Sequence, residues 1–302
     1  MKYTFFIICL FLFVTNIYSQ SFSECKRQPQ FIRTLEGFDP SKAALSTSEI
    51  RKMGLVLVQL DNIENERSER KKTYQHPSWQ SAGWLGGICI DEFGNTYTIP
   101  APMVNVLNNP QQDQNIIYKV ETKTGVMSEF INLPHQAHTN DYNTSNPYGM
   151  LGIAYDCENH CIYATSVFGS DSEQEIGMIY QIDVQQKKVL STFKNYDAFG
   201  ITTGNFSGEK RLYFGHARSG NILSLALDKN GNIIGEPRFE FSIDGIGLRG
   251  DDRVRRLRVT PDGELVAHGI EFYYNLTAPS EKQESIYKFR FEKAKQIWIQ
   301  TQ

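Results

Sequence analysis

The chain has 302 residues, of which 40% are hydrophobic and 22% charged. This composition suits a globular protein with a sizeable buried core, in one large all-β domain or two smaller domains. A formal net charge of -3 argues against a general binder of nucleic acid or anionic membrane, which needs clustered Lys and Arg in excess.

The first segment reads MKYTFFIICLFLFVTNIYSQ. Lys2 gives a short positive start, Phe5 to Val14 an apolar centre, and Ser19 a small residue before a cleavage point. This is the pattern of a secretory signal peptide. The apolar run is shorter than the roughly 20 residues a membrane span needs. The expected division is a leader over 1–19 and a single domain over 20–302. That domain is expected to be secreted or periplasmic, with no transmembrane anchor after cleavage. Of the five cysteines, Cys9 leaves with the leader. Cys25, Cys89, Cys157 and Cys161 remain, an even count that permits disulfides in an exported chain.

Helical periodicity is scarce. SKAALSTSEIRK (41–52) is expected to form one short helix at most. Beyond it, short apolar runs alternate with turns rich in Gly, Asn and Asp, the mark of strands. GLVLVQLDN (54–62) and KKTYQHP (71–77) read as the last two strands of an irregular first unit. The mixed-sign run ENERSERKK between them reads as solvated loop.

Four regular units follow. Each opens with two strands around a polar turn: GGICIDEFGNTYTI, LGIAYDCENHCIYAT, GITTGNFSGEKRLYFG and RLRVTPDGELVAHG. Each then has a loop and a third strand: NIIYKVETKTG, GMIYQIDVQQKK, GNILSLALDKNG and ESIYKFRFEKA. A fourth, outer strand closes each: VMSEFINL, KVLSTFKNY, IIGEPRFEFSI and QIWIQTQ. The unit recurs every 48 to 65 residues or roughly so. Four antiparallel strands at this period make the blade of a β-propeller, because a lone blade cannot cover both its faces and radial stacking does so. A β-sandwich does not require this repeat. The fold expected is all-β, a propeller of four-stranded antiparallel blades. Six blades are favoured, a sixth lying within 21–48 or FIRTL (31–35) completing one, and five is the alternative.

The paired strands GGICIDEFGNTYT and YGMLGIAYDCENHCIYAT, with IYKVETKTG and IYQIDVQQKK, resemble the six-bladed propellers of the NHL-repeat and gluconolactonase-like superfamily. The likeness runs from about Gly83 to the C-terminus. Overall the chain is similar to exported propeller proteins of uncharacterised function from Bacteroidetes-type bacteria. The resemblance implies a divalent cation, usually calcium, in the central channel, held by a Glu from an early blade and by Asn and Asp from later loops. Here the early position reads WQSAGWLGGICID and lacks that Glu, so no ligand carries over there.

In such propellers the loop leading into a blade's first strand and the loop between its second and third strands share one face. That face collects Trp79, Trp84, Asn146, Tyr148, Asp197, Asn109, His216, Arg218, Glu271 and Asn275, and the segment GLRGDDRVRR (247–256). In the last, a forked guanidinium of Arg249, Arg253, Arg255 or Arg256 could bind a carboxylate or phosphate, and Asp251 and Asp252 could bind a cation or a sugar hydroxyl. The alternative for the segment is an Asp–Arg network tying blades together. His216 could serve as an acid–base group or simply hold a loop. Phe272, Tyr273 and Tyr274 could stack on a carbohydrate, clamp a peptide, or pack on themselves. No GxSxG, Walker or HExxH motif is present.

Two functions stand from this reading. The first is a binding protein for a protein, peptide or glycan, with no cofactor. The second is a calcium- or other metal-assisted hydrolase or lactonase of the channel, using Asn146, Asp197, Asp251 or Asp252 and His216. Aligned on the repeat, Cys157 and Cys161 flank a hairpin turn on the opposite face. They are expected to form a disulfide pinning a turn that lacks a glycine. Cys25 and Cys89 are a second, weaker pair.

Overall fold

The computed structural model describes residues 27–47, 52–59, 72–101, 107–136, 146–275 and 284–302. The expected leader, Cys25 and the run 61–70 lie outside these residues. Five antiparallel sheets are present. The first holds β1 (Ala43–Ser46), β2 (Val56–Gln59) and β3 (Lys72–Tyr74). The second holds β4 (Leu85–Ile90), β5 (Thr96–Pro100), β6 (Ile116–Val120) and β7 (Met127–Asn132). The third runs through β8 (Met150–Asp156), β9 (Cys161–Ser166), β10 (Met178–Asp183) and β11 (Lys188–Lys194). The fourth comprises β12 (Ala198–Gly204), β13 (Arg211–His216), β14 (Asn221–Leu227) and β15 (Ile233–Ser242). The fifth comprises β16 (Arg253–Val259), β17 (Glu264–Ile270), β18 (Ser285–Glu292) and β19 (Ile297–Gln300).

The last four sheets pair in chain order, each strand to the next. That is the propeller blade expected from the repeat. The inner strands β4, β8, β12 and β16 pack side by side around an axis, and β8 and β16 also meet across it. The middle strands are covered on both faces: every residue of β5 and β9 is buried. Their near-continuous apolar and Thr/Tyr runs follow from that double burial. The outer strand β11 instead has only exposed and half-buried positions.

Among the described residues five blades are found, not the six favoured from sequence. The first has three strands among the described residues. FIRTL does not complete a blade. It lies in a 3-10 turn, Gln30–Thr34, whose Phe31 and Ile32 join the buried cluster under the first and second sheets. The short helix expected over 41–52 is absent among the described residues. Ala43 to Ser46 form β1 instead, paired with β2 from Ala43↔Gln59 to Ser46↔Val56. Three consecutive apolar residues, Ala43 to Leu45, cannot make a helical stripe but can satisfy a strand ladder.

The turns on one end of the blades repeat one device. Asp91 accepts from the amides of Phe93 and Asn95 at 2.9 and 2.8 Å and from the Asn95 carboxamide at 2.8 Å. Asp228 does the same with Asn230 and Asn232. Gly94 and Gly231 supply the positive φ these turns need, 87° and 79°. In YDCENHCIYA that place falls to His160, at φ 52°.

The disulfide expected there is not formed. Cys161 and Cys89 are free thiols, which overturns both expected pairings, and the bond of Cys157 goes to a partner outside the described residues. Polar contacts hold the turn in place of the clip. Asp156 accepts from the Glu158 amide at 3.1 Å, and Lys210 of the next blade donates to Asp156, Glu158 and Asn159 at 2.7–2.8 Å. His160 Nδ1 sits 2.8 Å from Glu92 of the preceding blade. Burial pushes the Cys161 thiol up to about 11, so it behaves as a small core residue rather than a nucleophile.

Candidate functional site

The opposite end of the blades carries the loops leading into the inner strands and the loops between second and third strands. Each of the last three blades delivers one buried polar side chain just ahead of its inner strand: Asn146, Asp197 and Asp252. Asn146 donates to the carbonyls of Val167 and Ser170, both at 2.9 Å, and accepts from the Tyr148 amide at 2.9 Å. It is fully engaged in holding its own blade's loops. Asn109 plays a similar part in the second blade, bonding the backbone N–H and C=O of Trp84 at 2.9 Å.

Asp197 is the centre of a larger network. One carboxylate oxygen accepts from the Ser170 hydroxyl at 2.5 Å and the Gly177 amide at 3.0 Å. The other accepts from Arg218 Nε at 2.9 Å and from the Tyr274 hydroxyl. Burial dominates and leaves its carboxyl above the ordinary aspartate value, against the pull of these donors. Arg218 also donates to the carbonyls of Asp171, Ser172 and Gln174 and lies 5.2 Å from the Tyr274 ring centre. Glu175 accepts from the Asp197 amide at 2.7 Å and meets His216 Nε2 at 3.1 Å. His216 Nδ1 shares a hydrogen bond with Ser219 at 2.9 Å.

The segment Phe272–Asn275 of the fifth blade reaches across this end. Phe272 lies 5.3 Å from Tyr148, 4.9 Å from Phe199 and 5.3 Å from Tyr274. The Tyr148 hydroxyl donates to the Asn275 carbonyl at 3.4 Å. Phe272 and Tyr274 thus pack inward, the self-packing alternative, while Tyr273 stays 46% exposed. Together these contacts bring Tyr148, Asp197, His216 and Arg218 into one cluster spanning the third, fourth and fifth blades.

Glu175 gives this cluster an acid limit. Burial opposes its charge, but the hydrogen bonds from His216 and the Asp197 amide, with the charges of His216 and Arg218, outweigh it and hold the carboxyl below its ordinary value. Glu284 is also held low, chiefly by its hydrogen bond with His268. A depressed carboxyl contributes its stability above the unfolded pKa and loses it as pH falls through the folded one. We expect the melting temperature to fall steeply below about pH 4.3, the unfolded glutamate value. Glu175→Gln should flatten that acid limb. An unchanged slope in the variant, measured by thermal denaturation against pH, would remove Glu175 from the account.

GLRGDDRVRR forms a second, separate network within the fifth blade. Asp252 accepts from Arg249 at 2.5 Å and from the Tyr287 hydroxyl at 2.7 Å. Arg249 also donates to Ser285 at 3.0 Å and feels the charge of Glu271. Arg253 donates to the carbonyls of Asp251 and Asp252 at 2.6 and 3.2 Å. Asp251 itself is exposed. Trp79, expected on this face, is fully buried in the core below the first sheet.

A divalent cation fits these residues poorly. The carboxylates of Asp197 and Asp252 already pair with arginines, and the Asn146 carboxamide is engaged at both ends. Among the described residues no group of three or more His, Cys, Asp and Glu side chains is placed to hold a metal. Sequence reasoning missed Ser170, Glu175, His268 and Glu284, and it named Arg255 without its partner. Arg255 Nη1 lies 3.3 Å from Glu284 Oε1, and His268 Nδ1 lies 3.1 Å from Glu284 Oε2.

No sequence family and no curated protein matches the chain. Among solved structures it is similar to a calcium-binding regucalcin from Agrobacterium tumefaciens, at 14% identity and a TM-score of 0.48 over 84% of this chain and 68% of that one. A putative 6-phosphogluconolactonase from Bacteroides fragilis shares 9% identity at a TM-score of 0.47, over 82% and 63%. A glucose dehydrogenase shares 14% at 0.41, over 76% and 72%. The fold assignment rests on the sheet order above, not on these likenesses.

Proposed function

We propose that the protein is an exported propeller that binds a protein, peptide or glycan through its loop-rich face. One observation carries this reading. The buried acids Asp197 and Asp252, and the arginines paired with them, are engaged in holding loops, as Asp197 shows with its four donors. What the loops offer outward is bulk. Leu248 is 103% exposed and Tyr273 46%, both in loops of the fifth blade, and Leu107 projects from the second at 85%. Apolar and aromatic side chains on loops of a rigid scaffold are the usual contact points of a binding face. Export is supported by the leader pattern MKYTFFIICLFLFVTNIYSQ.

The test is an array of peptides and glycans probed with the intact protein and with the combined variant Leu107→Ser, Leu248→Ser and Tyr273→Ser. Selective retention by the parent and its loss in the variant is expected. Turnover of a lactone or phosphoester by the parent, with no retention on the array, would overturn the reading.

A further inference from the structure

The inner strands β4, β8, β12 and β16 each carry a bulge opposite the second strand of their blade. At the bulge, extra residues of the inner strand face fewer on its partner. The bulge pairs are Gly86–Gly87, Leu151–Gly152, Phe199–Gly200 and Arg255–Arg256. The second member is glycine in three blades, and each glycine faces the next inner strand. A Cβ on Gly152 would stand 2.2 Å from the Phe199 carbonyl oxygen, and one on Gly200 would stand 2.7 Å from the backbone of Arg255 and Arg256. On Gly87 it would meet Ile153 at 3.1 Å. In the fifth blade that position is Arg256, and it is exposed. An arginine thus occupies the position at which two of the other blades admit a neighbour's backbone.

The surroundings are those of an anion site. Arg255 is the bulged residue and Arg256 is paired across the strands with His268. Glu284 is shared between Arg255 and His268 at 3.3 and 3.1 Å. Glu284 thus pairs with Arg255 and also feels the charge of the adjacent Arg256. On the same face Arg258 pairs across to Val266 and Val266 to Lys288. Among the described residues no ion pair engages Arg256, Arg258 or Lys288. The Nε2 of His268 is buried with no hydrogen-bond partner, a state that native polar groups rarely keep without a ligand or water.

Arg255 adds a further sign. Its side chain is 41% exposed, yet desolvation outweighs the charge of Glu284 and draws its pKa below the ordinary arginine value, with Arg256 adding to the effect.

We propose that the Arg255–Arg256 bulge, beside His268 and Glu284, binds a small oxyanion, a carboxylate or phosphate group of a ligand. Two adjacent guanidinium forks match such a group in shape and charge. The site goes beyond the loop-face reading, and its failure would leave that reading standing.

Calorimetric titration of the intact protein with inorganic phosphate and, separately, with succinate tests it. We expect one of the two to bind at millimolar concentrations, and which one binds assigns the group. Arg255→Leu and Arg256→Gly should each weaken that binding about tenfold or more, as loss of a charged hydrogen-bond donor does. Glycine already stands at the matching position of three blades, so Arg256→Gly is expected to fold. Arg256→Gln serves as a second variant with the same expected loss. Arg290→Gln removes an exposed arginine paired with Glu264 at 2.9 Å and should leave affinity unchanged. The site is overturned if the parent binds neither anion, or if Arg256→Gly and Arg256→Gln bind as the parent does. Equal weakening in Arg290→Gln would also overturn it, by showing diffuse surface charge.

Discussion

Asp197→Ala is expected to lower stability by about 3–5 kcal/mol, the usual cost of removing one partner of a buried ion pair. For a domain of this size that is a fall of roughly 10 °C in melting temperature. The loss comes less from the missing attraction than from what is left behind. Ser170, the Gly177 amide, Arg218 and Tyr274 all aim donors at the carboxylate, and Asp197 is fully buried. Its removal strands a guanidinium and several neutral donors out of reach of one another. Two comparisons separate this from a simple cavity. Asp197→Asn keeps an oxygen for Ser170 and Gly177 and should lose less. Combining Asp197→Ala with Arg218→Met should cost less than the sum of the two single changes, because the stranded charge is gone. Additive losses in that cycle would show that the pair is not coupled. A melting temperature within about 2 °C of the parent for Asp197→Ala would show that the network does not hold the blades together.

The same residue shows how far the sequence carries. Strand order and blade register were legible because alternation and turn chemistry are local: Asp91 and Asp156 fall at matching turns, as the repeat implies. The placement of Asn146, Asp197 and Asp252 ahead of their inner strands was legible for the same reason. Their partners were not. Tyr274 reaches Asp197 from a sheet further on, and Ser170 from the one before, and no spacing rule marks such a meeting. The cysteine pairing misled because sequence nearness was taken for geometry. Asp156, not Cys157, sits opposite Cys161 in the ladder. The arginines of GLRGDDRVRR stood out in the sequence, but their place in the repeat was not drawn. Aligned on the repeat, GGI, LGI, FGI and RRL carry glycine at the middle position in three blades and arginine in the last.

Trp79→Ala should cost a similar amount, about 3–5 kcal/mol, for a different reason. Trp79 was expected at the loop face because its segment leads into an inner strand. The structure turns it inward, fully buried. Its ring lies 5.7 Å from Phe31 and 5.7 Å from Tyr74, both edge-on. Its indole N–H donates to the Gly125 carbonyl at 2.7 Å. These contacts join the 3-10 turn at Phe31, strand β3 and the β6–β7 turn. Alanine there would leave a large hole and an unmet carbonyl at the seam between the first and second sheets. Because the first sheet has three short strands among the described residues, Trp79 is a main anchor for them. The expected result is a lower melting temperature accompanied by early loss of amide protection in β2, while β9 and β13 stay protected. Uniform deprotection of all sheets at once would show instead that the first sheet and the remaining blades unfold as one unit. Trp79→Phe, which keeps most of the ring but not the N–H, should recover most of the protection in β2. Failure to do so would assign the larger part of the effect to the bond with Gly125.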